Sequence, residues 1–263
     1  MGDLAREVLQ ATLSQAVSHF QAGRLDQAEA LCRRALDVAP DQPEALNLLG
    51  VILSERGNPL LALKALDRSI ALDPSRPAFH GNRGEILRRW GLPEEAIESC
   101  RRALELEPRA ADALNTQGLA LMQLGRAPEA VRCFQAAREA NPAMPEPAYN
   151  LGGARKMLGD WPGAVEAQRA AIALRPGYAE AWYEIGCVLE RLDDLDGAAA
   201  ACRRALELRA VYPEAWAQLG DVLLQAGDQG EAIAAYRRSV ALAPGLATSL
   251  YRLSLALLGH GDF

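Results

Sequence analysis

The chain repeats itself every 34 residues, and no insertion breaks the register. Glycine marks it at Gly50, Gly84, Gly118, Gly152, Gly186 and Gly220. Alanine marks it at Ala28, Ala62, Ala96, Ala130, Ala164, Ala198 and Ala232. Proline marks it at Pro40, Pro74, Pro108, Pro142 and Pro176, gives way to Ala210, and returns at Pro244. Three tracks in one phase do not arise from composition. The chain is therefore read as an array of like units, stabilised by each unit and by its interfaces with its neighbours.

The stretch 43–76 shows what a unit holds. Proline opens it, and apolar residues follow at Leu46, Leu49 and Leu53 around Gly50, which is helical spacing on one face. Pro43 and Glu44 suit a helix start, where free N–H groups and the helix dipole favour both. Gly57 and Asn58-Pro59 make a turn. A second helix runs through Leu61, Ala62, Ala65, Leu66, Ile70 and Leu72 until Pro74 stops it. The pattern predicts an all-α fold of helical hairpins. A hairpin this short cannot bury its apolar face alone, so it must stack on its neighbours.

Half of the residues are hydrophobic but only 5% are aromatic, which predicts a core of alanine and leucine with closely approaching helices. The net charge of −6 is spread along the chain and argues against a nucleic-acid partner, which needs clustered basic side chains. The five cysteines form no CxxC pair. Cys32, Cys100 and Cys202 share one inward repeat slot and read as small buried hydrophobes in a reducing compartment. His19, His80 and His260 lack ligand spacing to any cysteine, so neither a metal nor a cofactor is expected. No apolar window is long enough to span a bilayer. The start, Met1-Gly2-Asp3-Leu4-Ala5-Arg6, has no signal core, so the expectation is a cytoplasmic chain without membrane contact.

No catalytic constellation is visible, and this segment is not expected to be an enzyme. Glu94-Glu95 and Asp193-Asp194 read as solvated or helix-start charges rather than as an acid–base pair. The arginine pairs Arg33-Arg34, Arg101-Arg102, Arg203-Arg204 and Arg237-Arg238 recur at one slot. Acidic neighbours such as Glu105 and Glu207 make them a solvated face rather than a phosphate stripe.

The slots Trp216, Leu219-Gly220, Leu223, Ala232, Tyr236, Ser239 and Pro244 resemble the tetratricopeptide repeat (TPR) pattern, as do Trp182, Ile185-Gly186, Leu189, Ala198, Cys202 and Ala205. The resemblance implies a right-handed α-solenoid. It implies seven full repeats, 9–42, 43–76, 77–110, 111–144, 145–178, 179–212 and 213–246, and a partial eighth over 247–263, in one array over 1–263. It also implies a concave groove built from the first helix of each repeat, which binds a protein or an extended peptide. That groove would be lined by Asn47, Asn82, Asn115, Asn150, Tyr149, Tyr183, Gln218, Arg88, Arg89 and Lys156, with Glu85, Asp221 and Tyr251 beside them. Asparagine both donates and accepts, so a row of them can grip a peptide backbone whatever its sequence.

Asn82 and Asn150 sit where the TPR region of O-GlcNAc transferases carries an asparagine ladder. Leu48, Thr116, Glu184, Gln218 and Arg252 interrupt that ladder here. No lysine-plus-asparagine pair recurs across consecutive repeats, which sets chaperone-tail capture aside.

Repeat 1 is irregular at Thr12, Gln15 and Ala16, and its first helix, from near Asp3, is expected to cap the array. Repeat 5 places Ala148, Arg155 and Gln168 at usual core slots and adds Gly153 mid-helix, which reads as a weak unit or a widened groove. Gly261 falls in the inter-helix glycine slot, so Gly261-Asp262-Phe263 reads as a turn that halts before a partner helix, as in a piece of a longer protein. The ending resembles that of bacterial proteins in which TPRs precede a glycosyltransferase, and acceptor recruitment for such an enzyme is the alternative function. Self-association through the uncovered last helix is a second alternative.

Overall fold

The computed structural model describes residues 3–245 and 247–260. The turn expected at Gly261-Asp262-Phe263 lies outside the described residues, as do Met1, Gly2 and the side chains of Arg6 and His260. Among the described residues the chain forms fifteen α-helices and no strand. It divides into two compact units, Met1–Ala140 and Asn141–Phe263.

The first unit holds α1 (Asp3–Gln21), α2 (Leu25–Val38), α3 (Pro43–Glu55), α4 (Pro59–Leu72), α5 (Pro77–Arg89), α6 (Pro93–Leu106), α7 (Ala111–Gln123) and α8 (Ala127–Ala140). Each odd helix packs on the even helix after it, and α1, α3, α5 and α7 also touch in sequence. The second unit holds α9 (Glu146–Met157), α10 (Trp161–Leu174), α11 (Ala179–Arg191), α12 (Leu195–Leu208), α13 (Pro213–Gln225), α14 (Gln229–Leu242) and α15 (Ala247–His260). Here α9 pairs with α10, α11 with α12 and α13 with α14, while α15 rests on α14. Both units are thus stacks of helical hairpins.

The repeat glycines are where paired helices touch. A Cβ on Gly50 would lie 2.9 Å from Leu66 Cγ, and one on Gly84 2.7 Å from Cys100 Sγ. One on Gly118 would meet Phe134 Cε1 at 2.6 Å, one on Gly186 Cys202 Sγ at 2.6 Å, and one on Gly220 Tyr236 Cε1 at 2.5 Å. Close packing leaves no slack for a methyl group at such contacts. Between paired helices the glycine slot takes left-handed backbone, with φ 77° at Gly57 and 80° at Gly91, and Asp193 holds φ 62° in the same slot. Its neighbour Asp194 caps α12, accepting from the Gly197 N–H at 3.0 Å.

The alanine track is fully buried at Ala28, Ala62, Ala96, Ala130, Ala198 and Ala232, and Cys32, Cys100 and Cys202 are fully buried beside it. In α10 the slot filled elsewhere by Leu66, Cys100, Phe134, Cys202 and Tyr236 holds Gln168, which is 2% exposed. Its amide donates to the Tyr149 carbonyl at 3.2 Å, and its Oε1 has no partner among the described residues. Arg155 does not enter the core: it donates to the Gly163 carbonyl at 2.9 Å and pairs with Asp160, tying α9 to the start of α10.

Candidate functional site

The ten residues expected to line the groove lie on the first helices of hairpins, from α3 to α13; Glu85 and Asp221 lie on α5 and α13, and Tyr251 lies on α15. In the first unit Asn47 and Asn82 meet directly, the Asn82 amide donating to Asn47 Oδ1 at 2.9 Å. Arg88 is held by Glu85 on its own helix at 2.9 and 2.7 Å, and Thr116 on α7 donates to the same carboxylate at 3.3 Å. Arg89 reaches back to Glu55 on α3. Asn115 is buried. These polar side chains join consecutive first helices to one another along one face.

The second unit builds something different there. Tyr149 stacks on Tyr178, with centroids 4.9 Å apart and planes 24° apart. Arg175 lies over the Tyr178 ring at 4.7 Å and pairs with Glu146. One repeat later the same four slots hold the same four residue types. Tyr183 packs on Tyr212 at 5.2 Å, Arg209 lies 3.6 Å over Tyr212, and Arg209 bonds Glu180 at 2.7 Å. Each layer runs carboxylate, guanidinium, ring, ring, and ends on a half-buried tyrosine of the first-helix face. Burial pushes the Tyr149 and Tyr183 phenols well above their usual range, so both stay protonated donors at neutral pH.

Around these tyrosines, Lys156 on α9 pairs with Glu184 on α11. Gln218 and Gln225 on α13 both donate to Glu190 on α11. Asp221 accepts from the Tyr236 hydroxyl at 2.8 Å and pairs with Arg252 at 2.7 Å. Burial still raises its carboxyl above the ordinary range, opposed by that hydroxyl and that guanidinium. Asn150 sits half-buried next to Tyr149.

Sequence reasoning named Tyr149, Tyr183, Lys156 and Gln218 but missed Tyr178, Tyr212, Arg175, Arg209 and Glu190. Tyr178 and Tyr212 lie in the connections before α11 and α13, outside the helical periodicity. Their signal was the joint recurrence of Glu146, Arg175 and Tyr178 as Glu180, Arg209 and Tyr212.

Burial pushes the thiols of Cys32, Cys100 and Cys202 up to about 12, which leaves them un-ionised near neutrality. Among the described residues no group of three His, Cys, Asp or Glu is placed to hold a metal ion. No helix there is long and apolar enough to cross a membrane. The arginine pairs lie exposed on the second helices. Five of the eight are matched with acids: Arg33 with Glu29, Arg101 with Glu98 and Glu105, Arg102 with Glu105, Arg203 with Glu231, and Arg204 with Glu207.

The tetratricopeptide repeat profile matches residues 13–75, 48–113, 115–179, 157–213 and 183–247. A comparison with curated proteins finds no match. Among solved structures, a chain of an APC/C hetero-tetramer is similar at 19% identity and a TM-score of 0.79, over 92% of this chain and 48% of that one. The pilF protein of Pseudomonas aeruginosa is similar at 20% identity and a TM-score of 0.71, over 85% and 99%. YrrB, a TPR protein with an unusual peptide-binding site, is similar at 21% identity and a TM-score of 0.59, over 72% and 97%. The chain therefore spans about half the length of the first and nearly all of the other two. Phased glycines, stacked hairpins and five profile matches agree: the chain belongs to the tetratricopeptide repeat family.

Proposed function

We propose that in each unit the face built by the first helices is a concave groove for an extended peptide or protein segment, and that the chain serves as a protein–protein interaction scaffold. The observation that carries this reading is the doubled tyrosine layer of the second unit. Tyr149 and Tyr183 are each braced from behind by a ring, an arginine and a glutamate. Such rings offer amphipathic contact area whose rotamer freedom is already lost before binding. Asn47, Asn82, Asn115 and Asn150 supply amide donors and acceptors for a peptide backbone. Arg88, Arg89, Lys156 and Gln218 supply the polar surround. The similarity to the peptide-binding YrrB fold supports the same reading.

An array of octapeptides probed with the full chain tests it. Tyr183→Ala and Asn150→Ala are each expected to lower binding of the selected peptides about tenfold, the usual cost of losing an interface anchor, while far-ultraviolet circular dichroism stays unchanged. Undiminished binding by both variants removes the groove assignment.

A second reading, self-association, is favoured by α15. Its Leu250, Leu255 and Leu258 are 45%, 48% and 57% exposed, and Tyr251 is 65% exposed. Apolar surface of this kind marks contact sites. Light scattering across a concentration series tests it, and a strictly monomeric chain counts against it.

A further inference from the structure

The second unit carries a notch between α12, α13 and α14 whose lining includes none of the stacked tyrosines. Its floor is Trp216, Leu219 and Leu223 of α13, and its walls are α12 and α14. The volume is about 580 Å³, within the range of about 300–1,000 Å³ that ligand sites occupy. The opening has a sequence cause. Where α14 faces Trp216 it presents Ala234 and Ala235, whose methyl groups leave the space unfilled. Trp216 is fixed in place by its indole N–H, which donates to the Ala210 carbonyl at 3.2 Å.

Charge sets the two ends of the notch. At one end Arg203 of α12 bonds Glu231 of α14 at 3.1 Å, a strap from wall to wall. At the other end stands Arg238, two helical turns beyond Glu231, or roughly 10 Å along the axis. Glu207 of α12 also lines the notch, its charge matched by Arg204 at 2.7 Å. Arg238 is exposed and has no ion pair or hydrogen bond among the described residues. Its counterparts Arg102 and Arg204 each bond a glutamate three residues on, Glu105 and Glu207. The corresponding residue after Arg238 is Ala241, so Arg238 has no acid at that spacing.

We propose that this notch docks a protein segment that presents a bulky apolar side chain with a carboxylate beside it. The apolar side chain would seat on Trp216, Leu219 and Leu223 and gain by leaving water. The carboxylate would take the two parallel donors that Arg238 offers, and no existing ion pair has to break. A short, open notch with charge at both ends suits side chains of a peptide rather than a long acyl chain.

An array of octapeptides pairing Phe, Leu or Ala with Glu, Gln or Lys at spacings of one to four residues, probed with the full chain, tests the proposal. Peptides pairing Phe or Leu with Glu are expected to be selected. In solution, Arg238→Glu in the protein and Glu→Gln in the peptide should each weaken the best of them about tenfold, as befits a charge-assisted hydrogen bond. In a chain labelled with 5-fluorotryptophan, the fluorine resonance of Trp216, assigned through Trp216→Phe, should move on titration. Tyr149→Ala and Tyr183→Ala should leave this binding unchanged. The proposal is overturned if acidic–apolar peptides are not selected, if Arg238→Glu binds as tightly as the parent, or if the Trp216 resonance stays still. Peptides lost with Tyr183→Ala yet kept with Arg238→Glu belong to the groove, so the two sites fail separately.

Discussion

A methyl group at Gly50 would sit 2.9 Å from Leu66 Cγ and 3.0 Å from the Ala62 carbonyl oxygen. The second neighbour is backbone and cannot swing away. Gly50→Ala is therefore expected to cost about 1–3 kcal/mol of stability, as overpacked contacts do, read from urea unfolding followed by circular dichroism. Gly57→Ala tests a different cause: its Cβ would meet nothing within 4 Å, but φ is 77°. The expected cost is about 1–2 kcal/mol of left-handed backbone strain. The buried thiols give a pH signature. Their ordinary value is 9.0 and burial raises Cys32, Cys100 and Cys202 to about 12, so the unfolded chain releases these protons first. Their contribution is fully present below 9.0 and is lost as pH climbs from there toward 12. Urea midpoints measured on either side of 9.0 should fall with rising pH, and should fall less once all three cysteines are alanine.

At the scale of the helix, caps separate the hairpins. Asp160, Asp194 and Asp228 each accept a hydrogen bond from the first turn of α10, α12 and α14. The same slot before α6 is Leu92, 36% exposed and without a side-chain acceptor. Leu92→Asp should stabilise the chain by about 0.5–1 kcal/mol and Asp194→Ala should destabilise it by about 1 kcal/mol, both measurable by thermal unfolding. Helix ends, glycine contacts and the buried cysteine slot were legible in the sequence because each obeys the 34-residue phase. The polar partners were not. Whether Asn82 meets Asn47, or two glutamines converge on Glu190, depends on side-chain reach between different hairpins, which no single helix pattern encodes. Arg155 shows the same limit: its slot predicts core, but its length lets it leave and bind the next turn.

For the whole molecule, stability is a sum of hairpins and neighbour contacts, so opening is expected to be local. Helix α15 packs on α14 and leaves three leucines exposed, whereas the helices of the α11–α12 hairpin have neighbours on both sides. Amide hydrogen exchange should therefore be fastest in α15 and slowest around α11 and α12. Gly186→Ala should raise exchange in that hairpin and its neighbours while leaving the first unit unaltered; uniform loss of protection would contradict the additive picture. The glycine contacts also bear on how such a chain can grow. Gly50 and Leu66, Gly84 and Cys100, Gly118 and Phe134, Gly186 and Cys202, and Gly220 and Tyr236 each lie within one hairpin. A gene segment encoding that hairpin carries both halves of its tightest fit. Duplication or deletion of such a segment keeps every lock with its own key, and the partner residue can drift from leucine to cysteine to tyrosine without consulting the rest of the chain.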